Sequence, residues 1–155
     1  MKEAFGGIFN MVFIIIFLVI VIGVLGLVFS YTKAFKMKNA IISIIEEYEG
    51  SGCTPEMTPG SSIDTACRNK VKLAAEGLAY NPTSLNCSEP GFYNAEGYFC
   101  YKKDVYPKNI SGVNYHFATY RIITQVDINF PIIQRIMGLS FFQVGGDTKE
   151  IRLPS

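Results

Sequence analysis

Residues 11–29, MVFIIIFLVIVIGVLGLVF, decide the fold. The run has no charge and no proline, and neither occurs from residue 4 to residue 32. An α-helix rises about 1.5 Å per residue, so the run matches a hydrocarbon core of about 30 Å. It predicts a single transmembrane helix over 11–30, behind a short N-terminal segment, 1–10. A signal-peptide core is shorter, roughly 7–15 residues, and Ser30-Tyr31-Thr32-Lys33-Ala34 is not a small-x-small cleavage site. An uncleaved anchor is expected.

Beyond the run, the apolar pattern narrows to a stripe. Leu27, Ser30, Ala34, Met37, Ile41, Ile44 and Tyr48 alternate spacings of three and four, the pattern of a helical packing seam. Ile42 and Ile45 widen it, while Lys33, Lys36, Asn39, Ser43, Glu46 and Glu47 face elsewhere. Residues 31–50 therefore read as an amphipathic extension of the membrane helix, stopped by Gly50-Ser51-Gly52.

The stripe has two readings. It packs on the chain's own globular domain, or Ala34, Met37, Ile41, Ile44 and Tyr48 form an assembly seam between copies. Gly23 and Gly26 permit close approach of helices in the membrane, although they make no GxxxG motif. Charge is segregated, with lysines near the membrane and Glu46, Glu47 and Glu49 at the far end, where the helix dipole favours cations. In a staggered bundle, the acidic end of one copy meets the lysines of another. The offset from Lys36 to Glu46 is an axial step of roughly 15 Å.

Past the helix lie about 100 residues, the size of one small domain. The formal net charge of +1 argues against nucleic acid as a partner. All four cysteines, Cys53, Cys67, Cys87 and Cys100, fall in this part. An even count in a small Gly-, Pro- and Tyr-rich domain predicts two disulfides and an oxidising compartment. Of three possible pairings, Cys53–Cys67 with Cys87–Cys100 is favoured, because each closes a short loop. A zinc site competes, but the spacing contains no C-x-x-C pair. Orientation is contested. Lys33, Lys36 and Lys38 follow the run, and the positive-inside rule would place the domain in the cytoplasm. The cysteines place it outside, with those lysines against anionic headgroups of the outer surface.

Within 51–155, the stretch 50–60 reads as a linker pinned by Cys53. Ser61 and Ser62 can cap a second helix that reaches about Tyr80, with Ile63, Cys67, Val71, Ala74 and Leu78 on one face. Asn81-Pro82 ends it, and 81–96 is loop. Strands are expected at 98–105 and 113–130, separated by a turn region at 107–112. The second of these places Ile122, Thr124, Val126, Ile128 and Phe130 on one face, and Pro131 ends it. Strands at 139–144 and 148–153 flank a Gly145-Gly146-Asp147 hairpin turn. The expected fold class is α+β: transmembrane helix, amphipathic extension, second helix, then a small antiparallel sheet of about four strands.

Chemical signatures are sparse. His116 is the single histidine, in a strand-like stretch, and no nucleophile motif accompanies it. Asp104, Asp127 and Asp147 are scattered, with no calcium loop and no phosphate-cradling glycine loop. Asn86-Cys87-Ser88 and Asn109-Ile110-Ser111 fit the glycosylation sequon, which matters only in a eukaryotic source. No enzyme activity, cofactor, metal or small-molecule substrate is expected.

A membrane helix running into an amphipathic helix and a small antiparallel domain resembles a pilin or pseudopilin. Residues 122–130 followed by Pro131, then Gly138 and the closing Val144-Gly145-Gly146-Asp147-Thr148-Lys149, resemble the C-terminal strands of TadE-like minor pseudopilins of bacterial tight-adherence systems. The resemblance implies a structural subunit of a cell-surface pilus or secretion apparatus. Its implied partners are the membrane and other pilin-like subunits or copies of itself, with the C-terminal domain extracytoplasmic. One departure stands: Gly6 and Gly7 are followed by Ile8-Phe9-Asn10-Met11-Val12, without the glutamate of prepilin-peptidase substrates. The alternative is a single-pass, membrane-anchored extracytoplasmic binding domain of adhesin type.

Overall fold

The computed structural model describes residues 2–48, 53, 64–82, 85–128, 134, 135, 138 and 140–153, with side chains described from residue 9 onward. Helix α1, Lys2–Glu47, is a single helix of 46 residues, about 69 Å long. Its backbone is already helical through most of 1–10, and the amphipathic extension continues it without a break. The expected Gly50–Gly52 stop, the linker 54–60, the caps Ser61 and Ser62, Ile63, and the strand end at Phe130 and Pro131 lie outside the described residues.

Helix α2, Thr65–Gly77, has Asp64 at its N-cap position and buries Cys67, Val71 and Ala75. It stops before Asn81-Pro82. Ala79 N–H donates to Glu76 O at 3.1 Å and Tyr80 N–H to Ala75 O at 2.9 Å, a Schellman closure. The left-handed position of that closure is Ala79, at φ 47°, with Gly77 two residues too early to relieve it. Ala79→Gly therefore removes left-handed strain, partly offset by the freer unfolded chain. The expected result is a gain of about 0.5–1 kcal/mol, read as a raised denaturant midpoint.

The sheet is antiparallel throughout, in the order β1-β2-β3-β4, with β5 also on β3. The strands are β1, Tyr93–Ala95; β2, Phe99–Ile110; β3, Val113–Asp127; β4, Phe141–Asp147; and β5, Ile151–Arg152. The architecture is α+β, as the sequence predicts. Three elements differ from expectation. Strand β1 falls inside the expected loop 81–96. Strand β2 runs through Pro107 to Ile110, and the turn shrinks to Ser111 and Gly112, at φ 54° and 84°, the signature of a type I′ hairpin turn. Pro107 is tolerated because β2 beyond Tyr101 has no outer neighbour among the described residues. Lys102, Lys103 and Lys108 on the same strand discourage edge-to-edge pairing.

The third difference corrects the Gly145-Gly146-Asp147 turn. These residues lie inside β4, opposite Ile123, Ile122 and Arg121. A Cβ at Gly146 would sit 3.0 Å from Nζ and Cδ of Lys38, so glycine here makes room for a side chain arriving from α1. The break in the edge comes at Thr148 instead. Tyr120 N–H donates to Thr148 Oγ1 at 3.0 Å, and Thr148 N–H donates to Tyr120 O at 2.9 Å. A hydroxyl thus stands in for a ladder carbonyl between β4 and β5.

The core lies between α1 and one face of the sheet. Ala34, Met37, Ile41 and Ile45 of α1 join Phe99, Tyr101, Ala118, Tyr120, Ile122, Val126 and Val144, with Cys67 and Val71 of α2. Thr124 is fully buried and donates to Ala34 O at 3.0 Å, so its hydroxyl is satisfied in the core. On the opposite face, Gln125 Oε1 accepts Asn86 N–H at 3.0 Å and Gln143 Nε2 donates to Asn86 O at 2.7 Å, holding the segment beside Cys87 over the sheet.

Candidate functional site

Helix α1 divides sharply along its length. Apart from Leu27, its large apolar side chains between residues 9 and 29 are 36–67% exposed. From residue 34 the apolar stripe is internal. At about 1.5 Å per residue, 9–29 spans about 31 Å, long and apolar enough to cross a membrane. Tyr31 and Phe35 are 45% and 41% exposed and stack at 6.3 Å, with Phe142 of β4 6.1 Å from Tyr31. Aromatic side chains therefore cluster on one face of the helix where its apolar half ends.

The expected assembly seam is occupied within the chain. Ala34, Met37 and Ile41 are fully buried, and Ile44 and Tyr48 pack on the same core. These three are covered by the chain's own core, the first of the two readings of the stripe. The acidic end of α1 has cationic partners within the chain. Glu46 Oε1 accepts Lys149 N–H at 2.9 Å, with Lys149 Nζ 3.6 Å from Oε2, and Glu47 Oε1 lies 2.5 Å from Lys70 Nζ. That contact to Glu47 raises the Lys70 pKa. Cations supplied by α2 and the β4–β5 segment thus answer the carboxylates that oppose the dipole of α1.

The three lysines after the apolar run have separate surroundings. Lys38 is nearly buried, with its ammonium 4.3 Å from the centre of the Phe35 ring and its stem along Gly146. Lys36 is exposed. Lys33 lines a cleft of about 170 Å³ bounded by three separate pieces of chain: Ser30 and Lys33 of α1, residues 79–82 after α2, and Gln125, Val126 and Asp127 at the end of β3.

Strand β2 reaches along β3 only to the pair Cys100↔Ile123, which leaves the edge of β3 open at Gln125. Tyr80 closes it: Gln125 N–H donates to the phenol oxygen at 3.0 Å, and Gln125 Nε2 donates to Asp127 Oδ1 at 2.7 Å. Burial pushes the Tyr80 phenol up to about 12, and burial does the same to Tyr101 in the core. An unfolded-state phenol ionises near 10, so a raised folded value favours the fold while the group stays protonated. Stability is expected to be level below pH 10 and to fall as pH climbs through 12, measured as the denaturant midpoint across that range. Tyr101→Phe should flatten part of the fall.

The cysteines form Cys53–Cys67 and Cys87–Cys100, the favoured pairing, which removes the zinc reading. Among the described residues no cluster of three or more His, Cys, Asp or Glu side chains is placed to hold a metal. His116 is exposed on β3 opposite Pro107. Asp104 lies 3.4 Å from Lys102 Nζ, and Asp147 ends β4 opposite Arg121. Both sequon asparagines accept turn hydrogen bonds, Asn86 from Ser88 N–H and Asn109 from Gly112 N–H. The cleft was not anticipated, because its lining is scattered over three segments and includes no motif.

Comparison with protein-family models, with curated proteins and with solved structures finds no match.

Proposed function

We propose that this chain is a pilin-like structural subunit of a bacterial cell-surface pilus or secretion apparatus, anchored and assembled through the membrane half of α1. One observation carries the reading: a continuous helix whose upper half is core of its own domain and whose lower half has no partner among the described residues. The disulfides support an extracytoplasmic head. Burial of Lys38 gives that cation a packing role, which weakens the positive-inside objection. Assembly contacts move from the occupied seam to residues 9–29, where Gly23 offers a point of close approach.

The alternative, a single-pass anchored binding domain, draws support from the occupied seam and from the internal pairing of Glu46 and Glu47. Cysteine crosslinking in native membranes separates the two. The native cysteines are paired, so Leu18→Cys and Ile20→Cys each add one thiol, on opposite faces of the helix. A pilin-like subunit gives covalent dimers from the single variants and a ladder from the double variant. Monomer alone from both single variants and the double variant would establish the anchored domain.

A further inference from the structure

We propose that the cleft at the junction of α1 and the head binds the phosphoethanolamine headgroup of a membrane lipid. The inference rests on the membrane placement of residues 9–29 and not on assembly. Depth comes first. Ser30 directly follows the last residue of the apolar run, and Lys33 stands about 6 Å above Phe29 along the helix axis. A headgroup layer is about 5–7 Å thick on each side of the hydrocarbon core. The cleft therefore opens at headgroup height. The exposed ring of Tyr31, in the same turn of α1, marks the same level, since tyrosine favours the interface.

Chemistry comes second. The lining holds one cation and one carboxylate, Lys33 and Asp127, together with the Ser30 hydroxyl and the Asn81 amide. Lys33 has no ion-pair partner among the described residues. Asp127 receives Gln125 Nε2 on Oδ1, a contact that orients the carboxylate. A ligand carrying a phosphate and a primary ammonium matches both charges. The phosphate takes Lys33 and Ser30, and the ammonium donates to Asp127 in a charge-assisted hydrogen bond. A purely anionic headgroup brings its charge up against Asp127. A choline headgroup has no N–H to donate there.

The test uses the full chain in nanodiscs with equal parts of ethanolamine, glycerol and choline phospholipids of one acyl composition. Lipid retained by the protein is counted by native mass spectrometry. Wild type is expected to enrich the ethanolamine lipid about tenfold, the factor that one charge-assisted hydrogen bond supports. Lys33→Gln should lower retention of all three lipids. Asp127→Asn still accepts from Gln125 and should abolish the ethanolamine preference while retaining the glycerol lipid. Intact disulfides on a non-reducing gel confirm that both variants fold. Equal retention of the three lipids by wild type overturns the proposal, as does an ethanolamine preference unchanged in both variants. Soluble O-phosphoethanolamine, added to the protein in detergent, separates the sources. Saturable binding there, with no lipid enrichment in the nanodisc, assigns the site to a soluble ligand and overturns the lipid. Failure of the chain to enter the nanodisc would instead strike at the membrane placement, and monomeric incorporation leaves this test intact.

Discussion

Ile41→Ala is expected to lower the unfolding free energy of the head by about 2–5 kcal/mol. Ile41 is fully exposed to none of the solvent around α1: its accessible surface is 0%, and it lies in one core with Tyr101, Tyr120 and Ile122. Truncation loses the transfer energy of three methyl or methylene carbons and leaves a cavity between a helix and a sheet, both rigid. Neither relaxes easily, because α1 continues uninterrupted on both sides of the site and β3 is paired on both edges near Ile122. Val19→Ala is the internal control. Val19 is 48% exposed in the apolar half, and its truncation should leave the head within about 0.5 kcal/mol of wild type. Guanidinium unfolding of the full chain in detergent, followed by tyrosine near-UV circular dichroism, reads the difference cleanly, since the chain has nine tyrosines and no tryptophan. A loss below about 1 kcal/mol at Ile41 would show that packing of α1 on the sheet does not hold the head together.

Removing both disulfides should be costlier still. The bridges close loops of sequence separation 14 and 13, and loops of that size each confer about 3 kcal/mol. The first ties the chain beyond α1 to α2; the second ties residue 87 to β2 on the other face of the sheet. Because the loops do not overlap, the losses should roughly add, to about 6 kcal/mol. A domain of this size commonly has about 5–15 kcal/mol in all. The head with all four cysteines changed to alanine is therefore expected to lose about 6 kcal/mol, a large share of its stability, with a Tm well below that of either single-bridge variant. An unchanged Tm after full reduction would contradict the account.

How much of this was legible in the sequence follows from the range of each interaction. The apolar run of 11–29 declares itself because it is apolar on every face, a pattern that needs no knowledge of tertiary neighbours. The stripe through Ala34, Met37 and Ile41 was equally plain, but a helical stripe says only that something covers it. The residues that do, such as Tyr120 and Ile122, lie about 80 positions away. The cysteine pairing was one of three on offer, favoured because each bridge closes a short loop beside a regular segment. The errors share a cause. Gly145-Gly146 looks like a turn until Lys38 crosses it, and Pro107 looks like a strand end until the strand proves to be an edge. Strand β1 is three residues with an asparagine at its centre, too short to show a period. The cleft was invisible for the strongest version of this reason: no two of its three segments are neighbours in sequence.

The unbroken course of α1 makes head and apolar segment two ends of one screw. Each residue of an α-helix advances the chain by about 1.5 Å and turns it by about 100°. Inserting one residue near position 32 would therefore lift the head by about 1.5 Å and swing it by about 100° relative to the apolar side chains of residues 9–29, with no hinge to absorb the change. Distance from the apolar half and compass bearing of the head are not independent quantities in this molecule. Both are written in the number of residues between Phe29 and Ala34, so a length change there acts as a change of heading.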